Sequence, residues 1–539
     1  MILNASSRNC NALQSMCSIF LHAAGAPETV HELMSSMGLA TSVTTMNKAV
    51  DSLSREAGTV IRTNGQRFNM IYAFDNVDIN LRRLVPTVEN PSDILAHLTT
   101  ATSMPLHCIT ANELKCYPSL QERIGNRYRV PGLSSIPRIA PERLLELHLE
   151  PNEKHPSGLN RRQRFWAYIF LRDLTTSAIV PQYFRNLRSN LTEPEVIGAI
   201  PIQQTVQTPL KTLDINPSTV IGNADVLDSI FRQAGIGDKS VDPRVEDIGE
   251  HVILVSGDLL TGDRIHSLLE SRSVEKTKMQ RLDFVVFVMG LFHFKMACAD
   301  AIWRLFIKAT KGRTDASSLI ELIGQIRPRQ TGKFTSNPNF RYMHEIIQDI
   351  GTVLRLDCWS QEIKRMSPDL LSLDDFARSM PTWEDLESIA YCLSKDYVGD
   401  TMKTTSQRER LTEDRDQQNE NTMILMQYLL LYEESSYAMN AGDIGRLEST
   451  FLPWIWIFNS CGKHKYASEL RRYLEDVHFI YPKALRFPSS SGPIIGILQF
   501  SVISKAIRMN ILCNPLGKKG SFRAIDWLVE WNNMFTKVR

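Results

Sequence analysis

Three short apolar runs, each stopped by an acid or a glycine, constrain this chain more than any other feature. Met70 to Phe74 ends at Asp75-Asn76, Val252 to Val255 is followed by Gly257-Asp258, and Phe284 to Met289 gives way to Gly290. Short runs rich in β-branched and aromatic residues and bounded by turn formers read as buried strands. Asp75 then stands at one strand end and Asp258 at another, each where the chain leaves a sheet. Most of the remaining sequence carries helical spacing. A few buried strands, two of them passing into helices, within a helical chain define an α/β fold that is predominantly α.

Composition sets the outer limits. The 539 residues carry 61 Lys+Arg against 59 Asp+Glu, a formal charge of +2. That balance excludes a globally basic mode of nucleic-acid binding and leaves only local patches. Hydrophobic residues at 43% supply ample core, so a disordered tail or a disulfide-stapled miniprotein is excluded. No apolar stretch is long enough to span a membrane, and no cleavable leader is expected at the start. The nine cysteines are scattered without a CxxC pair, which points to free thiols in a reducing, intracellular compartment. His107, Cys108 and Cys116 are spaced for no common zinc finger.

The chain is read in four parts: 1–60 helical, 61–295 an α/β core with a loop-rich insertion over about 85–245, 296–430 a helical insertion, and 431–539 a helical part completing the core. In the first part, Val30, Leu33, Met34 and Met37 keep helical spacing before Gly38. Val43, Met46, Val50 and Leu53 resume it after Ser42. Helix, glycine turn, helix is the helix-turn-helix pattern. It would present Thr44, Thr45, Asn47 and Lys48 to a DNA major groove, although two short packed helices are also common in any α-rich protein. Prolines recur from Pro86 to Pro156, and a helix is expected from Arg161 to Ser177.

Three acids stand out by context: Asp75, Asp258, and Glu448 in the helical segment AGDIGRLESTFLPWIWIF. Phosphoryl transfer by paired Mg²⁺ or Mn²⁺ ions needs carboxylates on rigid supports, and strand ends crossed by a helix supply them. The plain alternatives are an N-cap for Asp258 and a turn former for Asp75. Asp443 rivals Glu448, with Glu433 and Glu434 behind it, and Asp263 is a lesser rival of Asp258. His293 lies among Leu291, Phe292, Phe294 and Met296, where a core histidine is the ordinary reading. Trp454 and Trp456 alternate, so they cannot share a helix face. Arg161, Arg162 and Arg164 form one basic cluster, Arg327, Arg329 and Lys333 a second, and Lys518, Lys519 and Arg523 a third; each offers phosphate contacts or a solvated surface. No GxSxG, HExxH, GxxxxGK[ST] or GxGxxG motif occurs where a strand meets a helix, which disfavours the enzymes built on them.

The segments FDN, SGDLLTGDRI, GLFHFKMA, AMNAGDIGRLE and NPLGKKGSFRAIDWLVEWNN resemble, in this order, a fungal, mostly basidiomycete, domain family of unknown function. That arrangement is in turn similar to DDE transposases of the ribonuclease H-like superfamily. The resemblance implies a mixed-sheet core interrupted by helical insertions, with Asp75, Asp258 and Glu448 as catalytic and metal-binding acids and Mg²⁺ or Mn²⁺ as cofactor. It also implies His293 as the histidine of a (C/D)xxH motif, in which Gly290 replaces the Cys or Asp. The partner would be DNA, with homo-oligomers and nuclear residence in its train. The chain would be either an active DNA-cleaving and strand-transferring protein or a shortened, decayed copy keeping only the fold. The competing expectation is a non-enzymatic α-rich scaffold that binds DNA or protein, in which the same acids are caps and salt bridges.

Overall fold

A computed structural model describes residues 11–81, 94–122, 139–148, 155–307, 318–335, 338–399, 406, 408–481 and 501–537. The first residues of the expected helical opening and much of the proline-rich tract lie outside them.

The chain opens with α1 (Ala12–Ala23), α2 (Glu28–Ser36) and α3 (Val43–Gly65). Gly38, at φ +72°, turns the chain between α2 and α3, and the Ser42 hydroxyl caps α3 by accepting from Thr45 N. Met46 is buried and Thr44, Asn47 and Lys48 face solvent, but Val30, Leu33, Met37 and Leu53 are exposed too, so the apolar face expected of a helix-turn-helix is packed only in part. The far end of α3 abuts the α/β body: a Cβ on Gly65 would stand 2.3 Å from the carbonyl oxygen of Ala234.

Five strands form one mixed sheet. β1 (Met70–Leu81) and β2 (Ile94–Pro105) are antiparallel over their full length, and β3 (Thr208–Pro209) flanks β2 antiparallel. β4 (Ile253–Gly257) lies parallel to β1, and β5 (Val285–Met289) parallel to β4. The order across the sheet is β3-β2-β1-β4-β5. Each parallel crossover needs a helix, and the chain supplies them. α4 (Arg161–Thr176) and α5 (Val220–Ala234) precede β4, α6 (Leu259–Ser271) joins β4 to β5, and α7 (Leu291–Phe306) leaves β5.

The two sheet faces bury different cores, as strand alternation dictates. Met70, Tyr72 and Phe74 of β1 pack with Ile253, Val255 and Val285 against α3, α5 and α6. Ile71 and Ala73 pack with Leu254, Val286 and Val288 against α7 and the C-terminal helices. Those begin with α8 (Phe340–Met366), α9 (Trp383–Asp396) and α10 (Gln417–Ala441), and continue through α11 (Ile444–Ser460), α12 (His464–Glu475) and α13 (Val502–Asn510) to α14 (Ile525–Lys537). A further core, away from the sheet, joins Trp166 and Phe170 of α4 to Trp359 of α8 and Leu386 of α9.

The fold is therefore α/β and mostly helical. Two expectations need correction. β1 runs on to Leu81, so Asp75 lies within the strand rather than at its end; it is β4 that stops there. The region read as loop-rich contributes a full central strand, β2. Of the alternating pair, Trp454 is core and Trp456 is 61% exposed.

Candidate functional site

Asp75 shares the side of β1 occupied by Ile71 and Ala73, because side chains two residues apart point the same way. The parallel register pairs Ile71 with Leu254 and Ala73 with Ser256, so two residues further on Asp75 comes level with Asp258, just past the end of β4. Asp258 caps α6, its Oδ1 accepting from Thr261 N at 2.7 Å. The cap reading of Asp258 thus holds, and it also orients the carboxylate.

Two further acids near Asp75 and Asp258 come from α14. In IDWLVEWNNM, Asp526, Glu530 and Asn533 recur at i, i+4 and i+7 and form one stripe of the helix. Asn533 is buried and reads the sheet directly: its Nδ2 is 3.4 Å from Asp75 Oδ2, and its Oδ1 accepts from Thr100 Oγ at 2.5 Å. Thr100 is the cross-strand partner of Asp75. Burial, then the negative charges of Glu530 and Asp258, push the Asp75 carboxyl up to about 7, against the lowering pull of His293.

Asp526 organises the other flank. It accepts from the backbone N–H groups of Phe292 (2.9 Å) and His293 (3.0 Å), capping α7, and its Oδ2 lies 3.0 Å from His293 Nδ1. Burial alone would depress the imidazole. The Asp526 hydrogen bond and charge, with the charges of Asp258 and Asp75, outweigh it and raise His293 to about 9. Its Nε2 stands 3.8 Å from Glu530. His293 therefore sits inside an acidic group that favours its protonated form, and is not a core histidine on a carbonyl. Gly290 also has its reason: a Cβ there would meet Asp526 Oδ2 at 2.5 Å and the Gly257 carbonyl at 2.6 Å.

Glu448 does not join this group. It is 2% exposed and accepts from Arg508 at 2.9 and 3.0 Å and from Tyr473 Oη at 2.9 Å, with His148 Nε2 at 2.8 Å and His478 Nε2 at 3.3 Å. Burial favours its neutral form, but the His148 and His478 hydrogen bonds and the Arg508 charge hold it ionised, well below the carboxylate range. The ligating atoms of His148, Glu448 and His478 lie within 4.8 Å of one another, yet the Arg508 guanidinium already supplies the counter-charge. Asp443, the expected rival, caps α11 through Arg446 N and accepts from Ile197 N and Gly198 N. Glu434 pairs with Arg162 and Arg446, Glu433 with Arg172 and Arg355, and Asp263 with Lys465. The largest charge effects on Asp75 come instead from Glu530, His293 and Asp258.

The basic cluster on α4 is likewise committed inward. Arg161 and Arg164 both bind Glu195 of the loop after residue 190, and Arg162 binds Glu434 and the Ser449 carbonyl, tying α4 to α10 and α11; all three guanidinium groups have carboxylate partners within the chain. What sequence reasoning missed was α14. The Asp526-Glu530-Asn533 stripe was legible as spacing, but nothing local distinguished it from the equally acidic start of α11.

The fold and the site together define a mostly helical α/β protein whose acids gather where two parallel strands diverge beneath a C-terminal helix. Residues 143–539 match the model of a family of unknown function, DUF6589, and the chain belongs to that family. Asp258, His293, Asp526 and Glu530 fall within the matched residues, and Asp75 precedes them. No curated protein and no solved structure matches the chain. Among the described residues, no helix is long and apolar enough to cross a membrane.

Proposed function

We propose that this chain is a transposase-derived protein with a ribonuclease H-like core. Its D-D-E type site is built from Asp75, Asp258 and Glu530, and serves metal-dependent cleavage and strand transfer at DNA phosphodiesters. The observation that carries the reading is the register of β1 on β4, which brings Asp75 level with Asp258 on the face that α14 covers. The strand order, with three antiparallel strands followed by two parallel to the first, supports the same core.

The donor set fits Mg²⁺ or Mn²⁺. Three carboxylates are hard oxygen donors, and Asp75, raised first by burial and then by the charges of Glu530 and Asp258, is a carboxyl that a cation would bring back to its ionised form. Asp75, Asp258 and Glu530 would hold the ions, which when bound supply an activated attacking oxygen and counter-charge for the leaving one. The chain's own residues set the stage. Asn533 fixes Asp75 against Thr100, the α6 cap fixes Asp258, and Asp526 pins the His293 imidazolium so that its charge moderates repulsion among the acids. Thr44, Asn47 and Lys48 on α3 would dock the duplex, and a protein with that substrate would work in the nucleus.

The test is nicking of supercoiled plasmid in Mg²⁺ or Mn²⁺ by the wild type and by Asp258→Asn. Asparagine caps a helix as well as aspartate does, so folding is kept while a ligand is lost. The expected result is a loss of at least about a hundredfold; equal nicking by both proteins would end the assignment. A second reading is favoured by the Asp258 cap itself: a decayed copy serving as a DNA-binding scaffold, which binds duplex through α3 and nicks in neither form.

A further inference from the structure

We propose that the outward stripe of α14 is a stacking subsite for an unpaired nucleobase, formed by Trp527 and Trp531 with Arg523 at its foot. The proposal rests on the reading of the neighbouring acids as a DNA site. Trp527 and Trp531, four residues apart, share one side of α14 (Ile525–Lys537), and Arg523 lies in the short strand segment just before the helix begins. The Arg523 guanidinium is 6.0 Å from the Trp527 ring centroid, and the two indoles follow at 4.7 Å with an interplanar angle of 55°. Trp527 is half-buried against the core, whereas Trp531 is 43% exposed.

The position of this ladder gives it meaning. Trp531 directly follows Glu530, and at about 100° per residue the tryptophan stripe lies beside the Asp526-Glu530-Asn533 stripe. A polynucleotide approaching those acids meets negative charge first, and the whole chain carries only +2 to offset it. Attraction that does not depend on the phosphates is needed there, and base–aromatic stacking provides it without regard to sequence. An indole exposed beside carboxylates suits a nucleobase, which is flat, polarisable and polar at its edges. Bases within a duplex have both faces covered by their neighbours, so the occupant is a base in a single strand or one turned out of the helix. Arg523, beside Trp527, adds a cation for the adjoining phosphate or for stacking.

The experiment uses the full chain in EDTA, so that no cleavage intervenes, with a short oligodeoxythymidylate carrying one 2-aminopurine. The expected result is quenching of the 2-aminopurine on binding, and an affinity weakened about tenfold by Trp531→Ala. Trp531→Leu, which keeps apolar bulk without a π face, should lose as much, and Trp531→Phe should lose far less. Trp456→Ala, on exposed α11 surface, is expected to bind as the wild type does. Wild-type affinity in both Trp531→Ala and Trp531→Leu overturns the proposal, as does an equal loss in Trp456→Ala. Self-association in sedimentation that Trp531→Ala abolishes, with strand binding unchanged, would assign the face to a second copy instead. Strand binding that depends on Trp531 in a chain that never nicks removes the nuclease reading alone; nicking with binding indifferent to Trp531 removes this one alone.

Discussion

Glu448 and Glu530 are both helix-borne glutamates, and their surroundings assign them opposite work. Glu448→Gln would leave the buried Arg508 guanidinium without its counter-charge, and urea unfolding should show a loss of about 3–5 kcal/mol. Glu530, one-third exposed, should give Glu530→Gln a wild-type unfolding curve and no metal-dependent nicking. The reverse pattern would restore Glu448 as the third acid. Sequence had no means to separate them, because the partners of Glu448 come from 300 residues away at His148 and 60 at Arg508. A third residue carries a pH signature. Burial first, and then Lys295, lower His344 to about 4 from its ordinary 6.5, with Nδ1 2.9 Å from the Tyr432 hydroxyl. The folded pKa lies below the unfolded one, so the neutral ring stabilises the fold above about 6.5, and that contribution is lost as pH falls towards 4. Replacing it in His344→Gln should flatten the decline in unfolding free energy between pH 6.5 and 4.5 by roughly 2 kcal/mol. An unchanged decline would place the acid sensitivity elsewhere.

Among the elements, the junction of β5 with α7 leaves no room for a side chain at Gly290. A methyl at Gly290 would collide with both a backbone carbonyl and the Asp526 carboxylate, neither of which is a flexible chain end. Gly290→Ala should cost about 1–3 kcal/mol in thermal unfolding and should release His293, whose imidazole proton resonance would then titrate nearer 6.5 than 9. An unaltered titration would show that Asp526 does not govern the histidine. β4 and β5 were legible because their runs are apolar and β-branched. β2 was not, since ILAHLTTATSMP fills its buried positions with hydroxyls. Thr99 donates to the Ile215 carbonyl and Ser103 to that of Thr208, so these side chains satisfy neighbouring backbone while the hydropathy pattern reads as loop.

At the scale of the molecule, near-zero net charge means that any grip on duplex DNA is local. If α3 supplies it, Lys48→Ala should weaken duplex binding alike on all sequences and reduce the salt slope by about one, measured by anisotropy between about 50 and 200 mM salt. A slope equal to that of the wild type would exclude α3 as the contact. The division into an early loop-rich insertion and a later helical one was only partly legible. α4 from the first and α9 from the second share one core, and Arg355 of α8 binds Asp173 of α4 at 2.6 Å within it. Such pairings join segments that carry no local mark of one another, and only the packed helices reveal them.

Asn533 touches Asp75 across 458 residues of chain. During synthesis the ribosome must therefore pass all five strands of the described sheet before the acids acquire their last member. A product halted by a stop codon, a frameshift or a protease anywhere along that span holds one bank of the group without the other. If the assembled group cuts DNA, fragments that lack α14 are harmless to the genome that encodes them, and competence arrives only with that helix.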